Sequence, residues 1–234
     1  MSYTFKQDLM PSSKYSVKCP YSMTPQYITI HNTSNCATAQ AEISYMKNNN
    51  NQTSFHVCVD EKYVIQAIPF NRNAWHSGDG AKGTGNRKSI GIEIARSTGN
   101  LTLFKQAEQN CAEYVAKLLK QYGWDIDRVK RHKDWSGKNC PRKTMELGWQ
   151  RFLNMIQVEL NKLNNKATTT TFTSYTVKIT TDILNVRQSA SATSKIATTV
   201  KKNGVYTIIE EQNGWGKLKS GAGWINLSYT KKMK

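Results

Sequence analysis

Two histidines and one cysteine are the side chains of this sequence best suited to hold a metal ion. His31 directly follows the apolar run 27–30. It is therefore expected at the end of a buried strand, where a polar side chain would lie at the rim of the sheet. His132 and Cys140 lie in residues 131–141, a polar segment with glycine and proline that is predicted to form one loop between two helices. Zinc takes nitrogen and thiolate ligands tetrahedrally, and a catalytic site uses three protein ligands so that the fourth position can hold water. These residues allow a catalytic zinc site, and they leave open a buried cysteine with two surface histidines.

The segment around Cys140 also allows a catalytic cysteine–histidine pair. Cys140 stands directly before Pro141 in a basic segment, which matches no family signature of a thiol protease. Lys138 lies two residues away, and its charge would help to keep the Cys140 sulfur as a thiolate. A bound metal ion would do so more strongly. We therefore favour a zinc ligand over a thiol nucleophile at this position.

Glu93 interrupts the apolar run 90–94, where a fully buried strand would carry an apolar side chain. Burying an isolated carboxylate costs free energy, so such a residue usually has a hydrogen-bond or ion-pair partner, or a catalytic or binding function. The alternative is that strand alternation points Glu93 outward beside solvent. If Glu93 faces the metal instead, it can take a proton from the attacking water. The residues alone leave both interpretations open.

The elements that must position these side chains are strands and helices in alternation. Apolar residues recur at three- and four-residue steps over 104–122, which predicts a helix with one buried face that ends at Gly123. A second helical pattern covers 147–163, and a weaker one near 37–46 follows Ser34 and Asn35, either of which would cap it. Segments rich in β-branched residues predict four strands, at 27–31, 55–59, 63–68 and 90–94. Residues 1–163 are therefore predicted to form an α/β domain, a mixed β-sheet flanked by helices.

The rest of the chain has a different composition. Residues 164–174 are rich in threonine and lack hydrophobic periodicity, so they are predicted to form a linker. Residues 175–234 contain short extended segments separated by glycines and no helical period, which indicates a small all-β barrel. Six such segments are expected, at 175–179, 183–186, 196–200, 205–210, 215–218 and 224–227.

Composition limits the partners of the chain. Its 234 residues carry a net charge of +17, of which +8 belongs to residues 164–234. Nucleic acid, an anionic membrane surface or a polyanionic cell wall would each attract such a chain.

The sequence has no apolar run long enough for a membrane span, and its first residues lack the apolar stretch of a secretory signal. Five scattered cysteines are expected to be free thiols. We therefore expect synthesis in a cytoplasm without membrane insertion.

Five sequence blocks in residues 20–160 carry a resemblance to a known family. They are Ile28-Thr-Ile-His31-Asn-Thr, Ser54-Phe-His56-Val, Trp75-His76-Ser-Gly78, Ser89-Ile-Gly-Ile-Glu93-Ile and His132-Lys-Asp-Trp-Ser-Gly-Lys138-Asn-Cys140-Pro141. In this set and order they resemble the zinc-dependent N-acetylmuramoyl-L-alanine amidases of phage endolysins and bacterial autolysins, which share a fold with the peptidoglycan recognition proteins. The resemblance implies that His31, His132 and Cys140 bind Zn²⁺. It further implies that Glu93 is catalytic and that Lys138 stabilises the developing oxyanion.

The sequence departs from part of this family at one position. Some relatives carry a catalytic tyrosine just before the histidine that corresponds to His56, and this chain has Phe55 there. Proton transfer would then depend on Glu93. For His56 we expect a supporting role, either orienting a neighbour or lining the cleft as a substrate-binding residue. For His76 we expect contact with the glycan or the peptide.

Residues 175–230 resemble a bacterial SH3-like cell-wall domain. The resemblance depends on Ile183-Leu-Asn-Val-Arg187, Asn213-Gly-Trp215 and Gly223-Trp224. It implies a module that binds peptidoglycan peptide or wall polymer, to which the positive charge of this segment is suited. Trp215 and Trp224 are expected to be partly exposed, although a core position is the alternative for either one.

Together these features predict a peptidoglycan hydrolase that cleaves the amide between N-acetylmuramic acid and the L-alanine of the stem peptide. Its partners would be peptidoglycan and anionic wall polymer, with no nucleic acid, and it would be a monomer. It would act on the wall after release, either as a phage endolysin or as a bacterial autolysin. The alternatives are a non-catalytic peptidoglycan-binding protein and a basic phage regulator that binds polymerase or nucleic acid.

Overall fold

The computed structural model describes residues 2–167 and 172–233. The chain divides into two compact units, Met1–Lys166 and Ala167–Lys234. The last helix of the first unit runs through Ala167, so it occupies the first four residues of the segment 164–174 that the sequence assigns to a linker. Residues 168–171 of that segment lie outside the described residues. The linker therefore stays a prediction.

The first unit is built on a mixed sheet, as predicted. Within residues 2–167 the sheet has six strands, in the spatial order β1-β4-β3-β5-β2-β6. The pairs are parallel, except that β3 and β4 are antiparallel. In chain order the strands are Thr4–Gln7 (β1), Tyr27–Asn32 (β2), Val57–Val59 (β3), Tyr63–Gln66 (β4), Ser89–Ile94 (β5) and Val129–Arg131 (β6).

Long and short helices surround this sheet. The two long ones, of 22 and 19 residues, have the single apolar stripe that the sequence predicts. One helix has ten residues, and the other four have at most five residues and show no period. Glycine at 123 ends the first long helix in the left-handed conformation, as predicted. The helices are Tyr15–Lys18 (α1), Ala39–Asn48 (α2), Thr84–Lys88 (α3), Leu101–Tyr122 (α4), His132–Ser136 (α5), Arg142–Glu146 (α6) and Trp149–Ala167 (α7). Three-residue 3₁₀ turns lie at Ser12–Lys14, Ile126–Arg128 and Leu227–Tyr229.

The cap of α2 corrects a sequence prediction. Thr38, rather than Ser34 or Asn35, precedes the helix, and its hydroxyl accepts a hydrogen bond from the Ala41 N–H. Asn35 instead accepts a hydrogen bond from the Ala37 N–H, so it forms a turn before the helix begins. Both residue types satisfy free backbone donors, and this makes the choice between them difficult from sequence.

Strand alternation decides which side chains of the central strands leave the core. Ile28 and Ile30 of β2 and the isoleucines of β5 join one apolar cluster with α4 and α7. The intervening residues must face the opposite side, because successive strand residues point to opposite faces. His31 of β2 and Glu93 of β5 are such residues. The opposite side is partly covered by α2, through Ile43 and its neighbours, and the remainder of that side is open as a cleft.

The second unit is a small antiparallel β structure, as predicted. Within residues 172–233 its sheet has seven strands, in the order β13-β7-β10-β11-β12-β8-β9, around an apolar core of residues such as Val186 and Ile208. Trp224 is buried, which corrects the expectation that it is partly exposed, and Trp215 is half-buried. In chain order the strands are Tyr175–Ile179 (β7), Ile183–Arg187 (β8), Ile196–Lys201 (β9), Val205–Gln212 (β10), Trp215–Leu218 (β11), Trp224–Asn226 (β12) and Thr230–Lys232 (β13).

Two further expectations concern the whole chain. All five cysteines are free thiols, and four of them are buried. Among the described residues, the structure contains no helix that is both long enough and apolar enough to cross a bilayer.

Candidate functional site

The structure brings together the three side chains proposed as metal ligands. His31, His132 and Cys140 each offer one ligand atom, and these atoms all lie within 4.8 Å of one another. The Nδ1 atoms of His31 and His132 are 3.1 Å apart, and Cys140 Sγ lies 3.8 Å from His31 Nδ1. All three side chains are buried. They are separated by up to 109 residues along the chain, so only the tertiary fold can place them together.

Each ligand comes from a different local structure. His31 is near the carboxyl end of β2, where parallel strands commonly present ligands. His132 is the first residue of α5, directly after the edge strand β6. Cys140 lies between α5 and α6. The sequence interpretation of residues 131–141 as one loop is thus wrong, because α5 occupies half of it. This short helix fixes His132 relative to β2.

The four imidazoles of the chain form one buried row, in the order His132, His31, His76 and His56. Their successive ring centroids are 4.8, 5.1 and 5.9 Å apart. Burial, the largest cause, lowers the pKa of His132 to about 4, of His76 to about 3 and of His56 to about 4. Burial and the neighbouring His76 and His132 lower the pKa of His31 well below its usual range. The row is therefore neutral near pH 7, as metal-binding imidazoles must be.

The two facing Nδ1 atoms suit a cation. His31 Nε2 lies 3.0 Å from His76 Nδ1, and His132 Nδ1 faces His31 Nδ1. When both rings carry their protons on Nε2, the nitrogens that face each other both present lone pairs. Two lone pairs in contact repel unless a cation lies between them, and this arrangement fits a metal ion.

Cys140 needs a metal to act as a thiolate. Burial, followed by the charge of Glu93, raises the pKa of its thiol to about 11. A hydrogen bond from the Asn32 main chain and the charge of Lys138 act in the opposite direction but do not offset the burial. The charge of Lys138 thus lowers the pKa of the Cys140 thiol, as the sequence predicts. It does not lower the pKa enough to make the sulfur a thiolate without a metal.

Glu93 lines the same cleft. It pairs in register with His31 on the neighbouring strand, and its Oε2 atom is buried without a hydrogen-bond partner among residues 2–167 and 172–233. Burial, followed by the charge of Glu42, raises the pKa of its carboxyl group to about 8, and Lys138 opposes this increase. Glu93 is half-buried in the open cleft, so the structure brings it to the candidate metal site without turning it away from solvent, and its catalytic role stays a prediction.

The cleft has a volume of about 740 Å³, enough for a substrate segment larger than a single residue. Lys138 lines it as an exposed cation, and Phe55 lines it with an apolar ring. A side pocket of about 240 Å³ shares Glu93 and Lys138 with the main cleft and extends it toward α2. Basic side chains at the other end come from α6, at Arg142 and Lys143.

The structure places the two predicted substrate-binding histidines differently. His76 belongs to the cleft lining but is only 7% exposed. His56 has no exposed surface; its Nδ1 accepts a hydrogen bond from the Gly91 N–H, and its Nε2 lies 2.9 Å from the Arg72 carbonyl. A role of either residue in substrate binding stays a prediction.

Asn32 is a site residue that sequence reasoning missed. Its side-chain oxygen accepts a hydrogen bond from the Thr144 N–H at 3.0 Å, and its amide nitrogen lies 3.2 Å from the Thr144 hydroxyl oxygen. Its main chain hydrogen bonds to Cys140. Asn32 thereby ties β2 to the start of α6, just after the cysteine ligand. In the sequence, the position of Asn32 directly after His31 was the one sign that it belongs to the site. Its hydrogen-bond partner Thr144 is more than 100 residues away, so the contact itself could not be seen.

Comparisons with known proteins agree with this geometry. The family model described as N-acetylmuramoyl-L-alanine amidase matches residues 21–143, which is more than half of the chain and includes all three candidate ligands. The chain belongs to this amidase family. A second model, described as bacterial SH3 domain, matches residues 182–231. Both resemblances seen in the sequence are thereby confirmed.

Two similar relatives with curated names are amidases of Bacillus subtilis (strain 168). The amidase CwlA is 53% identical over 167 residues, which is 71% of this chain and 61% of the relative. The amidase XlyB is 51% identical over 162 residues, or 69% of this chain and 51% of the relative. The chain thus spans between half and two thirds of the length of these relatives.

Solved structures of the family have the same fold as the first unit. The structure of PlyL is 45% identical, with a TM-score of 0.62, and the match covers 65% of this chain and 96% of that one. A mutant endolysin from Bacillus subtilis is 39% identical, with a TM-score of 0.60, and covers 66% and 99% of the two chains. The mixed α/β fold expected from the sequence is thereby confirmed.

Proposed function

We propose that this chain is a zinc-dependent peptidoglycan hydrolase that cleaves the amide between N-acetylmuramic acid and the L-alanine of the stem peptide. The observation that carries the proposal is the convergence of His31, His132 and Cys140 in one cleft with Glu93, whose buried Oε2 atom has no hydrogen-bond partner in the described part of the chain. Membership of the amidase family supports the choice of bond.

The donor set fits zinc. Two imidazoles and one thiolate leave one of four tetrahedral positions open, which is the pattern of a catalytic zinc site. Zn–N distances of about 2.1 Å and a Zn–S distance of about 2.3 Å imply ligand atoms about 3.3–3.6 Å apart. The separations of 3.1 and 3.8 Å between His31 Nδ1 and its two neighbours lie close to this range.

The protein residues divide the work of hydrolysis. Zinc, when bound, supplies Lewis acidity toward the scissile carbonyl and toward an attacking water. Glu93 accepts the proton of that water at its buried carboxylate and delivers the proton to the leaving amine. Lys138 lies at the same cleft and offers a positive charge to the oxyanion as it develops.

The environment of Glu93 suits both parts of its task. A pKa of about 8 in the metal-free protein means that the carboxyl group holds a proton readily once it has taken one. A general acid–base group works best when its pKa lies near the working pH, because both forms are then accessible. A bound divalent cation would lower this pKa toward neutrality, since a nearby positive charge favours the carboxylate.

Digestion of purified cell walls tests this function. Wild type should release fragments with a new N-terminal L-alanine and an intact lactyl group, as identified by mass analysis. Cys140→Ser should release none while it remains folded, because a hydroxyl is a poor replacement for a zinc thiolate. Fragments cut between sugars, or equal cleavage by both proteins, would contradict the proposal.

For the second unit we propose wall binding. The support is its match to the bacterial SH3 model and its excess of 8 positive charges over residues 164–234. A binding module raises the concentration of the catalytic unit at the wall without any new catalytic contact. Deleting residues 175–234 should therefore reduce lysis of whole cells much more than cleavage of soluble muropeptides. Equal losses in both assays would contradict this role.

The proposed setting is lysis of a bacterial wall, by a phage endolysin or by an autolysin. In this setting the partners are peptidoglycan and anionic wall polymer, and the chain works as a monomer. Its positive charge makes binding to the anionic wall sensitive to salt. Sedimentation of the full chain, alone and with soluble wall polymer, measures both the oligomeric state and the binding.

A further inference from the structure

We propose that His76 is a positioning residue which fixes His31, one of the two candidate histidine ligands, in the tautomer that directs Nδ1 at the metal. This inference depends on the proposed zinc site and deepens it. It also assigns to His76 a role other than the substrate contact that the sequence suggests.

A main-chain carbonyl oxygen next to His76 sets the direction of these hydrogen bonds. His76 Nε2 lies 3.2 Å from the Ser89 carbonyl oxygen, which can only accept. The proton of the His76 ring must therefore sit on Nε2, and the Nδ1 atom of the neutral ring is an acceptor. His31 Nε2, 3.0 Å from that Nδ1, must then be the donor. This leaves His31 Nδ1 without a proton and facing the other ligands.

The second candidate ligand faces the first. His132 Nδ1 lies 3.1 Å from His31 Nδ1, so the tautomer of His31 that His76 fixes presents a lone pair to the nitrogen that His132 offers. Metal-binding histidines commonly need an outer partner such as His76 to fix their tautomer and ring orientation.

The Ser77 hydroxyl is a second donor at the same nitrogen. Its oxygen lies 2.9 Å from His76 Nδ1, and because an unprotonated imidazole nitrogen has one lone pair, the hydroxyl shares that acceptor with the His31 N–H. The backbone N–H groups of His76 and Ser77 both donate to the Asn86 side-chain oxygen, at 2.8 Å each. The segment that carries His76 is therefore itself held in place by α3.

The central strand leaves room for the His76 ring at Gly91. A Cβ added at Gly91 would lie 2.7 Å from two atoms of that ring, closer than side chains tolerate. On the other side of this glycine, His56 Nδ1 accepts the Gly91 N–H, and the His56 N–H donates to the Gly91 carbonyl. His56 thus fixes the strand position against which His76 lies. With 7% of its surface exposed, His76 has little area left for a substrate.

Zinc affinity of the full chain, measured by competition with a chromophoric chelator, tests this role without substrate. His76→Leu removes the acceptor at similar volume, and we expect the zinc dissociation constant to rise about 10- to 100-fold. His76→Asn places an amide oxygen near the position of Nδ1, so it should recover most of the lost affinity. Gly91→Ala displaces the ring without touching a ligand and should weaken zinc binding as well.

A spectroscopic measurement checks the tautomers directly. In long-range ¹H–¹⁵N spectra of the zinc-loaded chain, His31, His132, His76 and His56 should all carry the ring proton on Nε2. A His76 ring protonated on Nδ1 would overturn the proposal, whatever the affinities of the variants.

The remaining outcomes separate this inference from the proposed function. If wild type binds no zinc, the proposed function fails first. If wild type binds zinc and His76→Leu binds it equally well, only the positioning role fails. An increase in KM with unchanged zinc affinity would assign His76 to substrate binding. A lower Tm of chelator-treated His76→Leu, with zinc affinity unchanged, would assign His76 to stability alone. Either of these last two results would overturn the inference.

Discussion

His31 and Glu93 are register partners on the adjacent parallel strands β2 and β5, and both line the cleft. His31 offers a candidate metal ligand, and Glu93 has a buried carboxylate oxygen, Oε2, without a hydrogen-bond partner among the described residues. The distance from the proposed general base, Glu93, to the candidate ligand His31 is therefore set by the backbone pairing of two strands rather than by a loop. The two chemical roles are thus separate, and substitutions should affect them separately.

Replacing Glu93 with glutamine should abolish proton transfer and leave the metal ligands intact. We expect Glu93→Gln to lower kcat on soluble muropeptides by about 10²- to 10⁴-fold, as is typical for the loss of a general base. Zinc content should stay equal to wild type. The matched control is Glu146→Gln, since Glu146 also lines the cleft but forms ion pairs with Arg142 and Lys143. Equal losses in the two variants would contradict a catalytic role for Glu93.

The same substitution should stabilise the metal-free chain at alkaline pH. Burial raises the pKa of Glu93 to about 8 in the folded state, so folding is penalised once the unfolded chain can ionise. The penalty is absent near pH 4 and grows as pH rises toward about 8, where we expect Glu93→Gln to gain roughly 2–4 kcal/mol in the free energy of unfolding. Urea denaturation of chelator-treated proteins at both pH values measures it. A gain that does not change with pH would show that charge burial is not its source.

Lys138 should act on the transition state rather than on attraction to the wall. We expect Lys138→Met to lower kcat by about 10²- to 10³-fold, the usual cost of losing one oxyanion partner. Lys143→Met removes the same charge from the same cleft, but Lys143 pairs with Glu146, and a small effect is expected there. Kinetics on soluble muropeptides compares the two. A decrease confined to KM, or shared by both variants, would contradict the assignment.

Zinc binding should displace one proton from Cys140. The pKa of its thiol is about 11, whereas the histidine ligands are already neutral near pH 7. The apparent zinc association constant should therefore rise about tenfold per unit between about pH 6 and about pH 8. Chelator competition at several pH values measures the slope. A flat profile would show that the thiol does not become a ligand, and Cys140→Ser supplies the reference without a thiol.

Much of this site could be predicted from the sequence because the relevant patterns are local. The alternation in β2 and β5 places isoleucines on one face and His31 or Glu93 on the other. The long apolar stripe of α4 and the left-handed Gly123 made that helix equally clear. The residues proposed as metal ligands are the three that the structure brings together.

Other features were out of reach because their causes are not local. Strand β1, Thr4–Gln7, is exposed along its whole length, and β6 has three residues, so neither shows an apolar period. They form because each pairs with a strand that is already in place. The contact of His76 with His31 crosses 45 residues and depends on the space that Gly91 leaves. Sequence reasoning therefore assigned His76 to the substrate and had no means of seeing its buried partners.

Zinc K-edge X-ray absorption of the full chain identifies the atoms around a bound zinc ion, so it can show whether His31, His132 and Cys140 hold the metal. We expect about one zinc per chain, with one sulfur at about 2.3 Å and two imidazole nitrogens at about 2.0–2.1 Å. These would come from Cys140, His31 and His132. A zinc shell without sulfur, or a chain that retains no zinc, would contradict this expectation.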